Sequence, residues 1–276
     1  MNPTISILLA AALVAGCGDD AAKGELEELS KKGPEVAAET GSITGRVRLA
    51  GAAPELEPFE ITTNADVCGA AAKSNLLTVS ADGGIAGAVV YVDVGTAGAT
   101  TMVSRQIIDQ AGCQYTPRVI ATTVGSTVGF RNSDPTPHNV RVEDLASGRV
   151  QLNIAQPTAG RIDEWKVPTA GGYFVACDYH PWMNAYIVAV PSAHFAVTGA
   201  DGSFTIEGVP VGEHTVTVWH NSVKVRRKLD TDGRMIGYRY DPPVTLERTA
   251  TITKNGSATL DVELPLGQST TASTAK

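Results

Sequence analysis

A loop of C-x2-H-x2-M spacing, Cys177-Asp178-Tyr179-His180-Pro181-Trp182-Met183, lies between two β-rich runs, 173–177 (YFVAC) and 185–190 (AYIVAV). Runs rich in Val, Ile, Tyr and Phe at this length read as strands. The loop therefore collects a thiolate, an imidazole and a thioether on one turn between two strands. Pro181 stiffens that turn by fixing its own φ. A second imidazole, His138, lies upstream in Pro137-His138-Asn139-Val140, beyond the strand-like Val128-Gly129-Phe130 and the turn Gly125-Ser126. That fourth donor comes from a distant strand end, so the folded scaffold has to fix the geometry.

One Cys, two His and one Met form the donor set of a mononuclear blue-copper electron-transfer site. A thiolate and two imidazoles in a plane serve both Cu(I) and Cu(II), and a weak axial thioether tunes the potential. Zinc takes Cys and His but seldom Met. Haem ligation needs other pairs. Taken singly, each residue has a plainer reading, since a lone Cys, His or Met in a β protein is more often packed than ligating. Four donors in this order favour His138, Cys177, His180 and Met183 as ligands of one copper.

Residues 104–191 resemble a cupredoxin, and within that family the amicyanin type. The resemblance rests on Tyr115-Thr116-Pro117, Gly125, Phe130-Arg131-Asn132, Pro137-His138-Asn139-Val140 and the short ligand loop; it covers about a third of the chain. It implies a Greek-key sandwich with the four ligands above. It implies that Asn132 bonds near the Cys177 sulfur and pins two loops, a kind of outer contact that tunes metal sites. The plainer reading of Asn132 is a turn residue. It also implies that His180 shows an edge in an apolar docking patch, here Pro137, Pro181, Trp182 and Met183. For Trp182 plain core is an equal reading. Redox proteins are the implied partners, with a dehydrogenase as donor or a c-type cytochrome as acceptor.

Four cysteines are present. Val14-Ala15-Gly16-Cys17 resembles a bacterial lipobox, which implies cleavage before Cys17 and lipid on its sulfur. The apolar run Ile5 to Ala15 is too short to span a bilayer but suits a signal peptide. Residues 1–4 carry no Lys or Arg, a departure from the usual n-region. The expected location is the bacterial cell envelope, periplasmic and anchored to the membrane by that lipid. An oxidising compartment invites Cys68 and Cys113 to form a disulfide; two buried free thiols are the alternative.

The expected organisation is a signal peptide at 1–17, a tether at 18–40, N-terminal strands at 41–103, the cupredoxin at 104–191, a second sandwich at 192–266 and a tail at 267–276. The tether's polar, charged residues, about 23 of them, reach roughly 25 Å as a flexible coil. An alternating strand is expected at Ile43 to Leu49, and a hairpin around Asn255-Gly256. The stretch 198–220 (TGADGSFTIEGVPVGEHTVTVWH) resembles a carboxypeptidase regulatory-like, transthyretin-type sandwich. The earlier strands of that family resemble Gly45-Arg46-Val47 and Gly87-Ala88-Val89-Val90-Tyr91-Val92. The fold class is thus all-β, a cupredoxin plus a regulatory-like sandwich. Two arrangements fit: the cupredoxin inserted into a split sandwich, or the two in series.

A formal net charge of −7 argues against nucleic-acid binding. The basic cluster Lys224, Arg226, Arg227 and Lys228 reads as a solvated face or as a docking site for an acidic partner. His214 and His220 lack spaced partners for a second metal site. No nucleophile motif marks an enzyme. The expected function is single-electron transfer through copper. An envelope binding module, or copper storage and delivery, are the alternatives. A store favours extra Met or His donors, and the chain has four Met.

Overall fold

The computed structural model describes residues 39–94 and 103–267. Cys17 with its signal-like run, the tether to residue 38 and the tail from 268 lie outside the described residues. Apart from one helical turn, Ala65–Cys68, the described elements are strands, as expected of an all-β chain. No helix among them is long and apolar enough to cross a membrane.

The ligand-bearing part consists of two sheets sharing one core. The first orders Ile162–Lys166, Thr127–Asn132, Arg105–Gln110 and Tyr115–Thr116. The second orders Val150–Gln156, His138–Asp144, Gly171–Ala176, Asn184–Val190 and Val119–Thr123. Ile108, Val128, Phe130 and Trp165 from one sheet meet Val140, Val142, Tyr173, Val175 and Ile187 from the other. The Trp165 and Tyr173 rings meet edge to face at 4.9 Å.

Asn184–Val190 is buried along its whole length. Ala185, Ile187 and Ala189 join the core just described, whereas Tyr186, Val188 and Val190 join a smaller cluster with Val89, Ala121 and Trp219. A strand covered on both faces needs apolar side chains at every position, which is why the run AYIVAV does not alternate.

A second core is built from both ends of the described chain. Thr40–Leu49 pairs antiparallel with Ser203–Pro210 and parallel with Ser257–Thr259 and Val262–Leu264. Val89–Val92 lies between Phe195–Val197 and Gly212–His220, which in turn pairs with Val244–Ile252. Alternation sends Ile43, Val47 and Leu49 into this core. Gly45 is required by close approach, since a Cβ there would stand 1.9 Å from the Leu260 carbonyl oxygen. The chain thus leaves this sandwich after Val89–Val92, builds the ligand-bearing one, and returns at Phe195–Val197.

Two excursions reach the ligand loop. Residues 54–77 form a flap in which Phe59–Glu60 pairs with Ala71–Ala72 around the turn Ala65–Cys68. Phe59 and Leu76 bury in the ligand-bearing core. The Cys68–Cys113 disulfide fastens the flap to that sandwich. The second excursion is the hairpin Val225–Leu229 with Met235–Tyr240. Its Tyr238 packs edge to face on Phe59 at 4.9 Å, and its hydroxyl oxygen accepts from the Glu60 N–H at 2.8 Å.

Candidate metal centre

Three of the four donors sit where a strand starts or stops, and His180 lies in the loop between two of them. His138 opens His138–Asp144, Cys177 follows Gly171–Ala176, and Met183 precedes Asn184–Val190. A tight turn, closed by the Met183 N–H on the His180 carbonyl at 2.9 Å, holds the loop. Register brings the strand ends together, with Arg141 opposite Ala176 and Ala176 opposite Asn184. All four side chains are buried.

Three donor atoms converge. Cys177 Sγ lies 3.9 Å from His138 Nδ1 and 3.7 Å from His180 Nδ1, and the two Nδ1 atoms are 2.8 Å apart. Each separation is below twice a metal–donor bond of about 2.0–2.3 Å, so one ion can touch all three. Met183 is buried in the same core cluster as Cys177, at the end of the ligand turn.

The outer nitrogen of each imidazole is occupied. His138 Nε2 is 2.8 Å from Asp134 Oδ2. A carboxylate only accepts, so Nε2 carries the proton and Nδ1 keeps a lone pair. His180 Nε2 is 3.0 Å from Asn64 Oδ1, which selects the same tautomer. Two lone pairs then face each other beside a sulfur. That arrangement is repulsive without a cation and suits one that binds soft and imidazole donors. Outer acceptors on ligating histidines fix tautomer and ring orientation in metal sites generally.

The local electrostatics are those of a dry pocket. Burial pushes the Cys177 thiol up, opposed in part by the Asn139 N–H that donates to Sγ at 3.3 Å. A bound metal reverses this, because a coordinated thiol ionises. Burial lowers His138, with Asp134 opposing. Burial, then the neighbouring His138, lowers His180 to about 4. Both shifts favour the neutral ring, the form a ligand needs.

Asn132 ties neighbouring segments together as expected, but it does not bond the Cys177 sulfur. Its amide donates to the Thr136 and Gln156 carbonyls at 3.0 and 3.2 Å, and its Oδ1 accepts from the Asp134 N–H at 2.9 Å. The donor at the sulfur is the Asn139 backbone. Asn132 therefore acts on His138 through Asp134. Asp134 also accepts from the Gly112 and Cys113 N–H groups at 2.7 and 2.8 Å, which ties the disulfide turn to the ligand. A second donor cluster, Cys113 with Asp134 and His138, shares these residues, but the Cys113 sulfur is spent in the disulfide.

The expected docking patch is also corrected. Trp182 is 2% exposed, and its indole N–H donates to the Cys113 carbonyl at 3.1 Å. His180 is fully buried beneath Asn64. Thr63 extends the cover by donating its hydroxyl to the Tyr179 carbonyl at 3.2 Å. Pro137 is exposed and Pro181 is half-buried. The exposed aromatic of the loop is Tyr179, at 51%. Sequence reasoning missed Asn64, Asn139 and the outer role of Asp134; only Asp134, four residues before a ligand histidine, carried any local hint.

No protein-family model and no curated protein matches the chain. The solved structures it resembles are cupredoxins, over about a third of its length. One is a novel purple cupredoxin from Nitrosopumilus maritimus, at 29% identity, covering 31% of this chain and 99% of that one with a TM-score of 0.27. Another is amicyanin from Paracoccus versutus, at 18% identity, 42% and 100% coverage, and a TM-score of 0.28. A third is the copper-containing nitrite reductase from Thermus scotoductus, at 23% identity, 31% of this chain and a TM-score of 0.27; the match spans only 22% of the reductase.

Proposed function

We propose that this chain is a type 1 copper protein that carries single electrons between redox partners in the bacterial cell envelope. The observation that carries this reading is the meeting of His138 Nδ1, Cys177 Sγ and His180 Nδ1, with both outer nitrogens held by acceptors. Copper held there would supply a one-electron couple. The protein's own residues do the rest. Asp134 and Asn64 keep both imidazoles in the ligating tautomer, the Asn139 N–H stabilises charge on sulfur, and Met183 is the axial donor in this reading. A rigid set of donors suits a site that must change charge with little rearrangement.

A carrier fits better than an enzyme or a copper store. The four donor residues are buried and a disulfide-fastened flap covers His180, which leaves little room for substrate or for ready metal exchange. The second sandwich is read as a carboxypeptidase regulatory-like scaffold, with the cupredoxin inserted between its strands. Lipid on Cys17 and a tether would hold the protein at a periplasmic membrane face. A dehydrogenase donor and a c-type cytochrome acceptor are the partners in this reading.

Adding Cu(II) to the purified protein and recording its visible spectrum tests the proposal. An intense thiolate-to-copper band in the orange-red region is expected, and Cys177→Ser should abolish it. A colourless loaded protein, or a band that survives Cys177→Ser, would falsify the ligand assignment. Mass spectrometry of a membrane extract tests lipid on Cys17.

A further inference from the structure

We propose that the outer face of the hairpin Val225–Tyr240 is the docking surface for an acidic protein partner in electron transfer. The inference deepens the carrier reading and rests on it.

Cross-strand register sorts the hairpin into two faces. Val225 lies opposite Tyr240 and Arg227 opposite Tyr238; Arg226 lies opposite Arg239 and Lys228 opposite Gly237. Side chains alternate along a strand, so these pairs point alternately inward and outward. The inward set is pinned to the protein. Val225, Tyr238 and Tyr240 pack on the ligand-bearing core, and Tyr238 holds Phe59 and Glu60 of the flap. Arg227 reaches Glu60 at 3.3 Å. Gly237, which belongs with Lys228 to the other set, lies beside the ligand loop, where a Cβ would meet Pro181 at 3.9 Å.

The outward set is cationic. Arg226, Lys228 and Arg239 are all exposed. Asp241 pairs with Arg226, and among the described residues no ion pair holds Lys228 or Arg239. The hairpin carries five cations against Asp230 and Asp232, both at its tip, in a chain of formal net charge −7. Like charges placed directly opposite across strands destabilise a sheet. Arg226 against Arg239 is such a pair, and an anionic partner would relieve it. Leu229 and Ile236, 53% and 48% exposed, add apolar surface at the register irregularity that follows Lys228.

Position links this face to the copper. His180 is covered, so a partner cannot touch the imidazole itself. The hairpin touches the flap over His180 through Tyr238, and its backbone at Gly237 lies close to Pro181 of the ligand loop. A partner on the outer face therefore stands one layer from the ligand loop, about 10 Å by sheet-packing distances. Electrostatic steering raises encounter rates and suits weak, fast exchange.

The test uses the copper-loaded full chain and the variant Lys228→Glu/Arg239→Glu, which leaves the donors and the Arg226–Asp241 pair intact. Oxidation of reduced protein by ferricyanide and by tris(phenanthroline)cobalt(III) is followed at low and high salt. The variant should slow the anionic oxidant on the order of tenfold at low salt, speed the cationic one, and keep the visible spectrum. High salt should erase the difference. Equal rates for both proteins with both oxidants would overturn the proposal. Copper-free protein is also titrated with a poly-glutamate peptide, and the hairpin amides should shift in the parent but not in the variant. Binding of phosphatidylserine vesicles in place of the peptide would assign the face to a membrane and overturn it. Peptide binding by a protein that never colours with copper would sink the carrier reading instead, and with it the redox nature of the partner.

Discussion

Asn64 Oδ1 meets His180 Nε2 at 3.0 Å across 116 positions of sequence. Asn64 adopts the left-handed region at φ 51°, just before the turn Ala65–Cys68, and asparagine tolerates that region better than most residues. Its side chain thus reaches over the ligand loop from a flap that contributes none of the four proposed ligands. Asn64→Ala removes the acceptor and leaves the backbone conformation mildly strained. Copper affinity should fall about ten- to a hundredfold, as for other outer partners of ligating histidines. Competition with a chelator measures it. Unchanged affinity would show that the contact does nothing for the metal.

The same flap depends on the Cys68–Cys113 disulfide, which closes a loop of 45 residues. Chain entropy assigns such a closure about 4 kcal/mol. Cys68→Ala/Cys113→Ala should lower the denaturation midpoint accordingly and speed copper loss to a chelator, because the flap is then held by non-covalent contacts only, such as Phe59, Leu76 and the Asn64–His180 bond. A variant that loses stability but releases copper at the parent rate would separate the disulfide from the site.

Local chemistry was legible in the sequence, and coverage was not. The run 43–49 alternates because one face is buried, and 185–190 does not because both are. The ligand loop shows itself since three donors lie within seven residues. Asn64 could not be read, as nothing near Asn64-Ala65-Asp66-Val67-Cys68 records a contact to residue 180. The Asn139 donor was invisible for another reason, being backbone. Trp182 beside a ligand looks the same on paper whether it lines a patch or fills a core. The flap and the Cys113 carbonyl decide it.

That burial makes Trp182 a stability residue. Trp182→Phe keeps most of the apolar contact but leaves the Cys113 carbonyl without its indole donor. A loss of about 1–3 kcal/mol is expected from the unpaired carbonyl and the smaller ring. Guanidinium titration reads it. The low-salt rate with ferricyanide should stay at the parent value, whereas a role in docking would lower that rate.

Met183 tests the fourth donor. Met183→Leu conserves volume and shape, so the buried end of the loop should hold with a cost below about 1.5 kcal/mol. Removal of a weak axial thioether should keep the colour and shift the reduction potential. Voltammetry of the loaded variant measures the shift. A potential equal to the parent's would remove Met183 from the ligand set.

His220 gives the fold a pH dependence from outside the proposed ligand set. It is 1% exposed at the end of Gly212–His220, with Nδ1 2.6 Å from the Asn221 carbonyl. Burial lowers its pKa from 6.5 to about 4, the carbonyl opposing and Arg118 assisting. The folded pKa lies below the unfolded one, so the unfolded chain binds the proton first. Stability is unaffected above about pH 6.5, falls as pH drops toward 4, and levels off below that. The full drop from this one group is about 3 kcal/mol. The metal-free protein should therefore show a falling denaturation midpoint from pH 7 to pH 4.5, to which His138 and His180 add in the same direction. His220→Gln, compared metal-free under the same conditions, should flatten that slope while leaving the two ligand histidines to account for the remainder. An identical slope in the variant would place the whole dependence at the metal centre.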